Sequence, residues 1–143
     1  MNRLTAPILA ACLAAGLSAP ARADTAADQA RADIQATLGG VPSFVAAIAD
    51  PALPGVWAEY KGLILGDTAL DARTKALISL AVAAQIPCSY CILSDTADAR
   101  RAGATPAQIA EAVAVAGMTR NMSTIFNGMQ VDLATFKAEM GGN

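Results

Sequence analysis

Cys88 and Cys91, three positions apart in "IPCSYCILSD", are the side chains best suited to chemistry, and Asp95 follows one helical turn after the second. Such a pair can cycle between dithiol and disulfide. One thiolate attacks, and the other resolves the resulting mixed disulfide or sulfenic acid. At the start of a helix, unpaired backbone N–H groups and the positive end of the dipole stabilise a thiolate. Cys88 is the better placed of the two to feel that field, with Cys91 one turn deeper. The chain contains no histidine, so any proton transfer beside the thiols falls to another group. Asp95 can share their face by its spacing, yet a carboxylate opposes a nearby thiolate. A catalytic role for Asp95 therefore competes with a plain solvated helix position.

Other chemistries find less support. A four-ligand zinc site would need carboxylates or a second chain, because two cysteines without histidine are too few. Cu(I) prefers thiolate and thioether ligands, and Met118, Met122 and Met129 fall along one helical stripe. Methionines at that spacing more often fill core gaps. No metal and no cofactor is expected. There is no glycine-rich phosphate loop, serine elbow or paired-carboxylate arrangement. Arg120, in apolar "GMTRNMSTIF", is a candidate for an anion or an inter-subunit carboxylate. Arg100 and Arg101 suit a solvated face, and Tyr90 either covers the cysteines or fills core.

The chain of 143 residues, 55% of them hydrophobic, is too short for two ordinary domains. Its first 23 residues have the layout of a secretory leader: Arg3, an apolar run over 7–17, and small residues at Ala21 and Ala23, with cleavage expected after Ala23. A periplasmic or secreted location follows. "LAAC" is a rival lipoprotein processing site that would lipidate Cys12 and attach the protein to a membrane. No other membrane partner is expected. Residues 24–143 would form the mature domain, with 8 of the 10 basic residues against 12 acidic ones, net −4. Nothing there is a basic stripe, which excludes nucleic acid. Export also favours a disulfide between Cys88 and Cys91. A bridge over so short a loop gains little by restraining the unfolded chain, so a purely structural role is the weaker explanation.

The elements that carry these residues all read as helix and short turn. "TAADQARADIQATLGG" puts Ala27, Ala30, Ile34 and Leu38 on one face and stops at Gly39-Gly40. Pro42 opens a short helix through Ile48. The next starts at Pro51 and turns Trp57, Tyr60, Leu63 and Ile64 inward. Asp71 caps a helix whose last charge is Lys75 and which is then apolar all round to Ile86, so it must be covered on most sides. Pro87 interrupts it. The cysteine helix follows and ends at Gly103. Thr105, Pro106 and Gln108 open another helix with a capping arrangement and an Ile109, Val113, Ala116 stripe. The pattern continues through Met122, Ile125, Phe126, Met129, Leu133 and Phe136. The expectation is an all-α domain of about six helices, with apolar faces that pair in a homo-oligomer.

"IPCSYC" followed by "AGATPAQIAEAV" resembles the carboxymuconolactone decarboxylase family, and within it the alkyl hydroperoxidase D-like branch that carries the Cys-x-x-Cys. The resemblance implies an all-helical fold assembling as trimers or hexamers. It also implies peroxide reduction by thiols, with a glutamate and a histidine forming a proton relay. The glutamate falls twelve residues before the first cysteine, where this chain has Ala76; the histidine falls four after the second, where it has Asp95. Both relay members are replaced. The decarboxylase branch generally lacks the cysteine pair, so that activity is less favoured.

An exported thiol oxidoreductase is thus the first expectation, with Cys88, Cys91 and Asp95 as catalytic residues. Its partners would be a small peroxide and a thiol reductant, either a protein or a small thiol. The chief rival is a non-catalytic scaffold or binding protein with a structural disulfide. Behind both stand Cu(I) binding and a carboxymuconolactone-type decarboxylase.

Overall fold

The structure is a computed structural model that describes residues 25–141; the expected leader, its cleavage point and Cys12 lie outside the described residues. The order of elements is α1 (Ala26–Leu38), a 3₁₀ turn (Ser43–Ala47), α2 (Leu53–Glu59) running into a π-helical stretch (Tyr60–Leu65), α3 (Ala72–Gln85), α4 (Ser89–Arg101), α5 (Pro106–Gly128) and α6 (Leu133–Glu139). The fold is all-α, with no strand among the described residues. None of the described helices is long and apolar enough to cross a membrane.

Most of the buried side chains form two clusters, with Leu80 and Ala83 of α3 buried outside them. Ala27, Ala30 and Ile34 of α1 pack with Val45, Leu53 and Trp57, and Ile48 closes that group. Thr25 and Asp28 make a reciprocal cap at the start of α1, and Gly39, at φ +76°, ends it. The Trp57 ring N–H donates to Asp33 at 2.6 Å, and Lys61 Nζ donates to both Asp33 oxygens at 2.8 Å. Those bonds hold Asp33 below the usual carboxylate range and lock α2 against α1.

Trp57 is buried as expected, but Leu63 (55% exposed) and Leu38 (45%) are not, and Tyr60 and Ile64 stay partly open. The α-to-π change after Glu59 is the reason for the first of these. A π turn advances each residue by a smaller angle, so a face read at α-helical spacing does not continue through it. Gly66 ends the stretch where a Cβ would strike the Gly62 carbonyl oxygen. Lys75, only 9% exposed, reaches back from α3 and donates to the Gly66 carbonyl at 2.7 Å.

The second cluster is Ala76, Ala99 and Ala104, with Leu77 and Ile109 packed against it. It is built almost wholly of alanine, which lets α3 and α4 approach closely. Asp71 caps α3 by accepting from the Thr74 N–H at 2.7 Å, and Thr105 and Gln108 form the expected capping box on α5. Two expectations of burial fail within one chain. Ile78 and Val82 leave α3 uncovered on one side, and Val113 faces outward on α5. Met118, Ile125, Met129 and Leu133 also remain exposed, although Phe126 and Phe136 meet at 5.2 Å to tie α6 to α5. These faces have no cover among the described residues.

Candidate redox site

The site lies at the turn between α3 and α4. The Ile86 N–H closes the last turn of α3 on the Val82 carbonyl, and Pro87 has no N–H to extend it. The Cys88 N–H then donates to the Ala83 carbonyl at 3.1 Å, folding the chain back. Cys88 is itself the N-cap of α4: its Sγ accepts from the Cys91 N–H at 3.3 Å, a position usually held by a hydroxyl or carboxylate oxygen. The two sulfurs are joined, with the Cα atoms 5.3 Å apart. Both cysteines are half-buried. The helix-start placement of the pair, expected from the sequence, is thus present.

Asp95 is not a free surface group. It is half-buried one turn beyond Cys91, and Ser79 Oγ of α3 donates to its Oδ2 at 2.8 Å. Ser94 Oγ donates to the Cys91 carbonyl at 3.1 Å. From the π stretch, Tyr60 faces the same side of α4. Burial pushes its hydroxyl pKa up, the Asp98 and Asp95 charges push it further, and Arg101 opposes them. Tyr60 therefore stays protonated wherever a thiolate would work. Its ring also stacks on Trp57, centroids 6.0 Å apart, which joins the first cluster to the site.

Other candidates are placed elsewhere. Asp71, the expected cap, sits at the far end of α3, about 20 Å away at 1.5 Å per residue, too far to act on the cysteines. Ala76 is buried among Ala99 and Ala104, leaving no acid at that position. Tyr90 is 90% exposed and covers neither sulfur nor core. Arg120 donates to the Gln85 carbonyl at 3.4 Å, near the end of α3 that leads into Cys88. Arg101 pairs with Asp98 at 2.6 Å on a solvated face, and Arg100 is exposed there too. No group of three or more histidine, cysteine or acidic side chains suited to a metal ion occurs among the described residues.

The sequence profile of the carboxymuconolactone decarboxylase family matches residues 51–132, more than half of the chain. The chain belongs to that family. It is similar to a solved structure, the alkylhydroperoxidase AhpD core from Rhodospirillum rubrum, with a TM-score of 0.66 and 35% identity over 76% of this chain and 82% of that one. It is also 48% identical over 58 residues to "Uncharacterized protein 4 in cox locus" of Paracoccus denitrificans. That match covers 41% of this chain and 52% of the relative, so the chain spans about half of that protein's length. An AhpD-like fold with a Cys-x-x-Cys pair at bonding distance supports a thiol redox role.

Ser79 was invisible as a site residue in the sequence pattern. One signal for it existed: Ser79 and Asp95 stand eight residues on either side of Pro87, so an antiparallel hairpin turning there brings them level.

Proposed function

We propose that the protein is a thiol-dependent oxidoreductase that reduces peroxides through Cys88 and Cys91. The observation that carries this is the bonded pair at the N-terminus of α4, where Cys88 Sγ accepts the Cys91 N–H. In the reduced state, one thiolate attacks a peroxide oxygen and the O–O bond breaks. The sulfur becomes a sulfenic acid and the distal oxygen leaves, after protonation, as an alcohol or water. The second thiolate attacks the sulfenic sulfur, the S–S bond forms, and hydroxide departs as water. Two electrons and two protons from a donor dithiol reopen the bridge, and the donor becomes a disulfide. The exposed α4 start leaves a path for that exchange. The helix terminus supplies thiolate stabilisation in place of a histidinium. Asp95 is the acid–base group next to the pair, and its role is to pass the released protons.

The same proposal includes export directed by residues 1–23 and assembly into a homo-oligomer. The uncovered apolar side chains of α3 and α5, Ile78, Val82, Met118 and Ile125, support assembly. A second reading, a structural bridge in a scaffold or binding protein, rests on Ala76 and Asp95 at the two positions where the family relay would stand.

Peroxide consumption by the reduced mature protein with a dithiol donor decides between them, run beside Cys88→Ser and Cys91→Ser. Turnover abolished by both substitutions is the expected result. Consumption no faster than donor alone, over several alkyl peroxides and hydrogen peroxide, would leave the structural bridge standing.

A further inference from the structure

We propose that Ser79 is a positioning residue that sets the redox balance of the Cys88–Cys91 pair by holding the Asp95 carboxylate. The inference rests on the reading of that pair as a working redox couple. Three observations carry it. Ser79 Oγ donates to Asp95 Oδ2 at 2.8 Å across the α3–α4 contact, in a half-buried setting. Asp95 lies one helical turn from Cys91, within reach of its sulfur electrostatically. Ala76, Ala99 and Ala104 keep the two helices close enough for the bond to form.

A carboxylate beside a thiolate raises the energy of the reduced, ionised pair and leaves the neutral disulfide unaffected. Asp95 therefore biases the couple toward the bridge. A hydroxyl donating to that carboxylate withdraws part of its field and fixes its direction. Ser79 thus tempers the bias. The remaining groups on that side are Tyr60 from the π stretch, Ser94, Asp98 and Arg101 on α4, and Lys75 one turn along α3, whose Nζ is taken up by the Gly66 carbonyl. From α5, Arg120 reaches the Gln85 carbonyl. Ser94 Oγ also donates to Asp95 Oδ1, at 3.5 Å, so the 2.8 Å bond from Ser79 is the shorter hold on the carboxylate.

The test is equilibrium titration of the full mature protein against dithiothreitol, which gives two electrons and two protons to the bridge and becomes its own cyclic disulfide. The fraction open is read by thiol alkylation and mass. Asp95→Asn should raise the equilibrium constant for reduction about tenfold at alkaline pH, about 30 mV for a two-electron couple. Ser79→Ala should lower it about threefold, and Ser79→Thr, which keeps the hydroxyl, should restore it. Both shifts should vanish at a pH low enough for the two thiols to be neutral. In an Asp95→Asn background, Ser79→Ala should do nothing further.

A Ser79→Ala shift that persists without the Asp95 charge, or at low pH, marks a merely structural effect and overturns the inference. So does no shift at all while the wild-type bridge titrates normally. A wild-type bridge that dithiothreitol cannot open overturns this inference and the redox reading together.

Discussion

Ala99 is the residue on which the α3–α4 contact turns, and changing its size in both directions separates stability from site geometry. It is 0% exposed and clusters with Ala76 and Ala104. Ala99→Gly removes one buried methyl, about 0.8 kcal/mol, and adds the helix penalty of glycine, about 1 kcal/mol. The sum of about 2 kcal/mol corresponds to a Tm about 6–10 °C lower for a chain of this size. Ala99→Leu instead forces three extra carbons into a site with no opening, costing about 1–3 kcal/mol. The two variants should melt at comparable temperatures when compared at one protomer concentration. Only the leucine prises the helices apart, so only it should shift the dithiol–disulfide equilibrium of Cys88 and Cys91. An Ala99→Leu protein with wild-type Tm and wild-type equilibrium would refute the close alanine contact as what positions the site.

Other outcomes follow from single groups. Gly66→Ala should lower Tm, because its Cβ meets the Gly62 carbonyl, whereas Gly55→Ala within α2 meets nothing and should raise stability by about 0.4–1 kcal/mol; thermal melts of the pair check both signs. Lys75→Met should cost about 1–3 kcal/mol in urea unfolding by leaving the part-buried Gly66 carbonyl without its donor. Hydrogen bonds from Lys61 and Trp57 to Asp33, from Thr74 to Asp71 and from Thr135 to Asp132 lower the folded pKa of each carboxylate. Their contribution is therefore whole above the unfolded value and lost as pH falls through the folded ones. Stability should hold on descent to about pH 4 and decline below it, with Asp33→Asn flattening the decline. Tyr60, whose pKa is raised chiefly by burial, gives the opposite sign: its contribution is whole below the unfolded value and is lost as pH rises through the folded one.

Local signals made much of this protein legible. The caps Asp71 and Thr105, the stop at Gly39 and the start of α4 at the cysteines are set by side chains within three or four residues of the backbone groups they serve. Trp57 and Ile34 were recognisable as core from helical spacing alone. What local signals hide is mostly tertiary. Leu63 is the exception: it faces solvent because the π stretch breaks the α-helical spacing on which its burial depends. Lys75 looked like an ordinary boundary charge, yet its long stem buries while its head finds a carbonyl nine residues upstream. Asp95 was identified as a candidate, but its partner Ser79 belongs to another helix and carries no local mark. Exposure on α5 could not be read either, since an apolar stripe looks the same whether its cover comes from the same chain or from another.

The proposed function requires Cys88 and Cys91 to work as a redox couple without the family's glutamate and histidine. Its most direct test is single turnover: the reduced mature protein meets one equivalent of an alkyl hydroperoxide with no donor present, and free thiols are counted by rapid alkylation. Both thiols should disappear together, one bridge per peroxide consumed, and Cys88→Ser and Cys91→Ser should form no bridge. Thiols that survive as long as those of a denatured control would contradict the proposed function.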